Sequence, residues 1–151
     1  MIIEMATVDE AEEILSLQRL AYQSEAEIYD DFTIPPLKQT LKEIKKDFET
    51  QVFLKATLNG RIIGSVRAFL REGTCYIGRL IVHPDFQNQG IGKRLMANIE
   101  EMFKGAHRFE IFTGHRSERN LYLYEKLGYQ RFKTIMVNEN LTIVFLEKYK
   151  R

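Results

Sequence analysis

The stretch Val82-His83-Pro84-Asp85-Phe86-Gln87-Asn88-Gln89-Gly90-Ile91-Gly92-Lys93 constrains this chain more than any other. An apolar strand runs into a His-Pro turn, and a loop with two glycines then opens an amphipathic helix. Glycine lets the backbone come close to a ligand, and a helix start presents unpaired N–H groups at the positive end of its dipole. A strand feeding a helix through Gly-x-Gly predicts an α/β architecture with an anion cradle at the junction. The bland alternative is a turn that only reverses the chain.

Spacing removes two familiar phosphate loops. The dinucleotide fingerprint requires a third glycine where Leu95 stands. The P-loop requires glycine at the position of Gln87 and Ser or Thr at that of Arg94. What is left is Gln-x-x-Gly-x-Gly preceded by His-Pro-Asp. From Leu80 to Leu95 this pattern resembles the pyrophosphate loop of the GNAT superfamily of N-acetyltransferases. A second block, Asn120-Leu-Tyr-Leu-Tyr124-Glu-Lys-Leu-Gly128-Tyr129, resembles the family's late helix and following strand, in the family's order and at its separation. Taken alone, Gly128-Tyr129 is equally a helix C-cap followed by a strand.

Composition sets the frame for that resemblance. The 151 residues, 44% of them apolar, are enough for one domain with a real core, expected to span 1–151. A net charge of +1 gives no electrostatic reason to expect a nucleic-acid or membrane partner. The single cysteine, Cys75, rules out an internal disulfide framework, and its apolar neighbours mark it as a small buried hydrophobe. No signal peptide or membrane span is visible, so a cytoplasmic location is expected. His83, His107 and His115 show no metal-ligand spacing. His83 reads as part of the turn, His107 as a strand start, and His115 as a loop residue near the site.

Periodicity orders the elements. Ile2–Ala6 reads as a strand, and Thr7-x-x-Glu10 is a capping box for a helix ending between Ser24 and Tyr29. Paired prolines put a loop over 30–36, and Leu37, Leu41, Ile44 and Phe48 share one face of a second helix. Strands follow over 52–58, 62–70 and 74–82, joined by Asn59-Gly60 and Glu72-Gly73 turns. A helix over 90–104, a strand over 107–113, a helix over 118–127 and a hairpin of 129–137 with 142–147 complete the order. The resemblance implies a mixed, mostly antiparallel central sheet flanked by helices on both faces, with two central strands splayed apart. The exposed last hairpin is a candidate homodimer surface.

The resemblance also implies chemistry: an acetyl group moved from acetyl-CoA, the cosubstrate, to a primary amine of a small molecule or peptide. The cofactor-binding residues would be Leu80, Ile81 and Val82 on the strand, Gln87, Asn88, Gln89, Gly90, Ile91, Gly92 and Lys93 in the loop, and Asn120. Strand N–H groups would polarise the thioester as an oxyanion hole does; the same three residues also suit a core strand. Lys93 and Arg94 are either phosphate contacts or solvated cations. Tyr124 would be the catalytic acid for the thiolate, its alternative being a packing tyrosine. An ordinary Tyr has a pKa of about 10 and a thiol about 8.5, so that transfer is uphill by roughly 1.5 units. A Lys-like amine of pKa about 10.4 costs about 4–5 kcal/mol to neutralise at pH 7. Many family members carry a carboxylate on the strand before the loop, whereas Thr74–Arg79 holds none. Glu72, Tyr76 and bulk water remain as candidate bases. Glu25, Glu27, Asp30 and Asp31 form an acidic cluster that either draws a cationic amine or is a solvated helix end. Two further readings stand beside the enzyme: a non-catalytic acyl-CoA sensor or interaction module on the same fold, and an unrelated phosphate-ligand protein.

Overall fold

The computed structural model describes residues 1–150. Seven strands form one sheet: β1 (Ile2–Met5), β2 (Val52–Leu58), β3 (Arg61–Arg71), β4 (Thr74–Val82), β5 (Arg108–Gly114), β6 (Gln130–Met136) and β7 (Thr142–Tyr149). Their spatial order is β1-β2-β3-β4-β5-β7-β6, antiparallel at every step except the parallel β4–β5 pair. The Asn59-Gly60 and Glu72-Gly73 turns close the β2–β3 and β3–β4 hairpins with left-handed backbone at all four residues, as such two-residue turns require.

The helices are α1 (Ala11–Ala21), α2 (Gln23–Tyr29), α3 (Pro35–Lys38), α4 (Leu41–Thr50), α5 (Ile91–Met102) and α6 (Glu118–Lys126). Alternation along the strands divides the core between two faces. Ile14, Leu15 and Leu17 of α1 and Ile44 of α4 pack on Phe53, Ile62 and Ile81. Leu95, Met96 and Ile99 of α5 and Leu121 of α6 pack on Leu54, Ile63, Val66 and Ile111 from the other side. Phe48 stacks on Phe53 with ring centroids 3.8 Å apart. Fully burying a side chain of this size contributes about 1.5–3 kcal/mol, so these two layers carry most of the packing energy.

Two local expectations need correction. Pro35 and Pro36 start a short helix: they occupy its first two positions, where a missing N–H costs nothing. The helix expected from Leu37 therefore begins again at Leu41. There Thr40 and Glu43 form a capping box, with the Glu43 N–H on Thr40 Oγ1 at 3.1 Å and the Thr40 N–H on Glu43 Oε1 at 2.9 Å. The Thr7–Glu10 box caps a single 3₁₀ turn, Val8–Glu10, which leads into α1. β6 lies at the sheet edge, exposed on both faces along its whole length.

The sheet parts at its centre. β4 and β5 pair only at Thr74 with Arg108, Cys75 with Phe109 and Tyr76 with Glu110. Beyond those residues β4 keeps its partner β3 and β5 keeps β7, so the facing edges separate. A bulge helps to turn β4 away. Ser65 pairs with Ile81 and Arg67 with Gly78, leaving Arg79 and Leu80 opposite the single residue Val66. Arg79 adopts left-handed backbone at φ 49°, a conformation that costs a non-glycine residue about 1–3 kcal/mol and persists only where its surroundings enforce it.

Candidate cofactor cleft and active site

Parting the strands leaves backbone N–H and C=O groups of β4 without a strand partner on the β5 side. Such an edge is suited to an extended ligand that pairs as an added strand. At its end the chain turns through Pro84–Phe86 and reaches α5. His83 is fixed there by the Arg61 guanidinium, which contacts Nε2 at 2.7 Å, and by the Asp85 N–H, which donates to Nδ1 at 3.1 Å. It is a structural part of the turn.

Gly90 is the N-cap of α5, at φ 79°, and no side chain caps the helix. The N–H groups of the first turn are thus left to solvent or to an anion. A Cβ at Gly92 would lie 3.4 Å from Leu123, 3.7 Å from Leu80 and 3.9 Å from Val82, so a larger side chain there would fill the gap between β4 and α6. The Gln87 side chain bridges the mouth: Nε2 reaches the Val82 carbonyl at 3.4 Å, and Oε1 accepts from the Arg119 guanidinium.

A cavity of about 510 Å³ occupies this gap. Leu80, Ile81, Val82, Gln87, Asn88, Gly90, Ile91, Gly92, Lys93 and Asn120 all line it; Gln89 and Tyr124 do not. An uncapped helix start, a glycine-lined wall and an open strand edge are what a pyrophosphate followed by an extended arm needs. Among the described residues, no group of three or more His, Cys, Asp or Glu is placed to hold a metal ion.

Of the residues on the far wall, sequence reading singled out only Glu25, in its acidic cluster. Tyr22, Ser24, Glu25 and Ile28, on α2 and the break before it, close the cavity opposite α6. Tyr29 anchors that wall. Its hydroxyl meets Ser117 Oγ at 2.7 Å and accepts from the Arg116 N–H at 2.9 Å. Gly114 is what lets it in, since a Cβ there would stand 2.0 Å from the same hydroxyl. Glu25 accepts from Ser117 Oγ at 2.5 Å and from Asn120 Nδ2 at 3.4 Å, while Asn120 also donates to Thr113 Oγ1 at 3.2 Å. Glu25 has no cationic partner among the described residues. The acidic cluster on α2 was the sole sequence signal for this contact, which joins positions more than ninety residues apart.

Tyr124 is 3% exposed on α6. Burial, with smaller contributions from Tyr22 and Glu25, pushes its hydroxyl far above the usual tyrosine range. It therefore stays protonated at any working pH and keeps a proton to donate. Glu72 sits exposed in the β3–β4 turn and lines neither this cavity nor the one on the other side of the parted strands. Tyr76 lines that second cavity. His115 is turned toward β7, its Nδ1 accepting from the Thr142 N–H at 3.0 Å.

A sheet parted between two parallel central strands, with an uncapped helix start at the mouth of the gap, is the architecture of one acetyltransferase class. The chain belongs to it: the model of the acetyltransferase (GNAT) family matches residues 11–129. The chain is 30% identical over 141 residues to the UPF0157 protein YqkA of Bacillus subtilis (strain 168), a match covering 93% of this chain and 40% of YqkA. It thus spans well under half the length of that relative. Over 106 residues it is 30% identical to an acetyltransferase of Yersinia pestis (strain Pestoides F), covering 67% of this chain and 73% of that one. The solved structure of the PaiA N-acetyltransferase of Thermoplasma acidophilum, in complex with coenzyme A, has the same fold. Its TM-score is 0.74 at 18% identity, with 99% of this chain and 100% of that chain covered. No helix among the described residues is long and apolar enough to cross a membrane.

Proposed function

We propose that this chain transfers an acetyl group from acetyl-CoA to a primary amine of a small molecule or peptide, by direct attack in a ternary complex. The observation that carries this reading is the unpaired edge of β4 running straight into the uncapped start of α5. Acetyl-CoA supplies the acetyl group as a thioester. The first-turn N–H groups of α5 hold its pyrophosphate, and Lys93 adds a positive charge beside them. N–H groups along Leu80–Val82 hold its arm and stabilise the negative charge that develops on the carbonyl oxygen, as preorganised donors do. Asn120 orients the arm from α6.

Two proton transfers remain. Glu25 stands at the cavity wall as an acceptor for the amine proton, and its uncompensated charge also draws a cationic amine toward the site. It supplies the carboxylate that β4 lacks. Tyr124 donates to the departing sulfur. Burial makes it a weaker acid than an ordinary tyrosine. Its gap to a thiol in water is then wider than about 1.5 units, at about 1.36 kcal/mol each. The dry site must raise the basicity of the thiolate too. A contribution near the low end of the usual ~10²–10⁴-fold follows.

Tyr124 lies outside the cavity wall, and that observation favours the second reading, an acyl-CoA-binding module without transfer. Release of free thiol from acetyl-CoA over a panel of amines separates the two. Amine-dependent release, with kcat about 10²-fold lower in Tyr124→Phe and KM for acetyl-CoA little changed, is the expected result. CoA binding with no release for any amine assigns the chain to the module. No CoA binding overturns both.

A further inference from the structure

On the opposite side of the parted strands lies a second cavity, of about 440 Å³. Its walls are aromatic and charged. Phe69 and Tyr76, ring centroids 5.2 Å apart, come from β3 and β4. Phe112 and Phe145, 5.6 Å apart, come from β5 and β7.

The charges within it are unevenly matched. Asp47 accepts from Arg67 Nη1 at 2.9 Å, and Gln18 accepts from Arg67 Nη2 at 2.6 Å, with the guanidinium 4.4 Å from the Phe53 ring. Glu110 is paired with Arg108 at 2.8 Å. Arg79 alone among the cavity's charged side chains forms no ion pair with the described residues, and its Nε is buried without any hydrogen-bond partner. A buried donor left unsatisfied costs on the order of 1–3 kcal/mol, more when charged. The left-handed bulge residue is therefore a strained backbone carrying a cation with no acid paired to it among the described residues.

Tyr22 lines the first cavity, and burial raises its hydroxyl above the ordinary tyrosine range, with smaller influences from Arg79, which also hydrogen-bonds it, and from Glu25. A molecule spanning the parted strands meets Glu25 in the first cavity, which has no cationic partner among the described residues, and Arg79 in the second, which has no acidic one. That arrangement complements a zwitterion whose ammonium and carboxylate are adjacent.

We propose that the second cavity is the acceptor site and that Arg79 selects an amine carrying a neighbouring carboxylate: a free amino acid with an apolar or aromatic side chain. The carboxylate takes the open guanidinium donors, the amine faces Glu25 and the thioester, and the side chain lies among Phe69, Tyr76, Phe112 and Phe145. This inference rests on the acetyl-transfer reading for its amine, though not for the cavity's ligand chemistry.

Wild-type protein is first assayed for acetyl transfer to L-phenylalanine, L-phenylalaninamide and phenethylamine. Losing hydrogen bonds to a charged group is worth about 10- to 100-fold, so kcat/KM should favour phenylalanine by that factor. The preference should appear in KM. In Arg79→Gln the phenylalanine-to-phenethylamine ratio should fall to near one, and Arg79→Lys should restore part of it. Equal use of all three acceptors by the wild type, or an unchanged ratio in Arg79→Gln, overturns the proposal. Calorimetric binding of N-acetyl-L-phenylalanine in the presence of CoA serves as a readout independent of transfer. If no amine is acetylated, binding that is lost in Arg79→Gln upholds the carboxylate site while the transfer reading fails. Absence of binding overturns the site.

Discussion

Burial acts on Tyr124 and Cys75 in the same direction with different consequences. For Tyr124 it keeps the hydroxyl protonated. For Cys75, fully buried on β4, it pushes the thiol up to about 12, with a small addition from Glu100. A nucleophilic cysteine needs the thiolate, so this one is inert in the native state. The sign for stability follows by linkage. The neutral thiol is favoured by folding, so its contribution is complete below the unfolded pKa of about 8.5. It is lost as the pH rises from there toward 12. Denaturant midpoints should fall over that window, and the fall should be shallower in Cys75→Ala. A thiol reagent at pH 8 should label the protein only after unfolding.

At the scale of elements, the decisive contact is α2 against the end of β5. The chain between residues 11 and 29 reads as one continuous helix, and the structure breaks it at Tyr22. The break lets Glu25 and Tyr29 swing onto Ser117, Asn120 and Gly114, closing the first cavity. Gly114→Ala places a Cβ where the Tyr29 ring already stands. Overpacking of this kind costs about 1–3 kcal/mol. Chemical denaturation should show that loss, and the affinity for CoA should drop with it because the wall carrying Glu25 is displaced. A variant with full stability and full CoA affinity would show that α2 does not form the wall.

For the whole molecule, the parted sheet is an unfinished structure. β4 and β5 give up parallel pairing over more than half their length and leave backbone groups to water or a ligand. A ligand that completes that edge binds the folded state alone. At 100 times its Kd it should stabilise the protein by about 2.7 kcal/mol, which for a chain of this size raises Tm by about 5–10 °C. Thermal unfolding with CoA checks this. No shift at millimolar CoA would remove the cleft as a CoA site. β6, exposed on both faces with Ile135, Met136 and the adjoining Val137 open to solvent, is the surface on which a homodimer would be sought.

Local chemistry made much of this legible in the sequence. The Gln87–Gly92 loop, the Asn59-Gly60 and Glu72-Gly73 turns and the amphipathic α5 follow from backbone preference and hydrophobic period, which act over a few residues. The family likewise was readable from two short blocks, Leu80–Leu95 and Asn120–Tyr129. Pro35-Pro36 misled because proline stops a helix in its interior and starts one at its first turn, and only neighbouring contacts select between them. Glu25 against Ser117 and Asn120, and Tyr29 against Gly114, were decided by tertiary structure. Each joins segments far apart in the chain, where no local pattern records which side chains will meet. The sequence by itself thus determined the loop and helix start proposed to hold a phosphate, and the fold decided which charges line the two cavities.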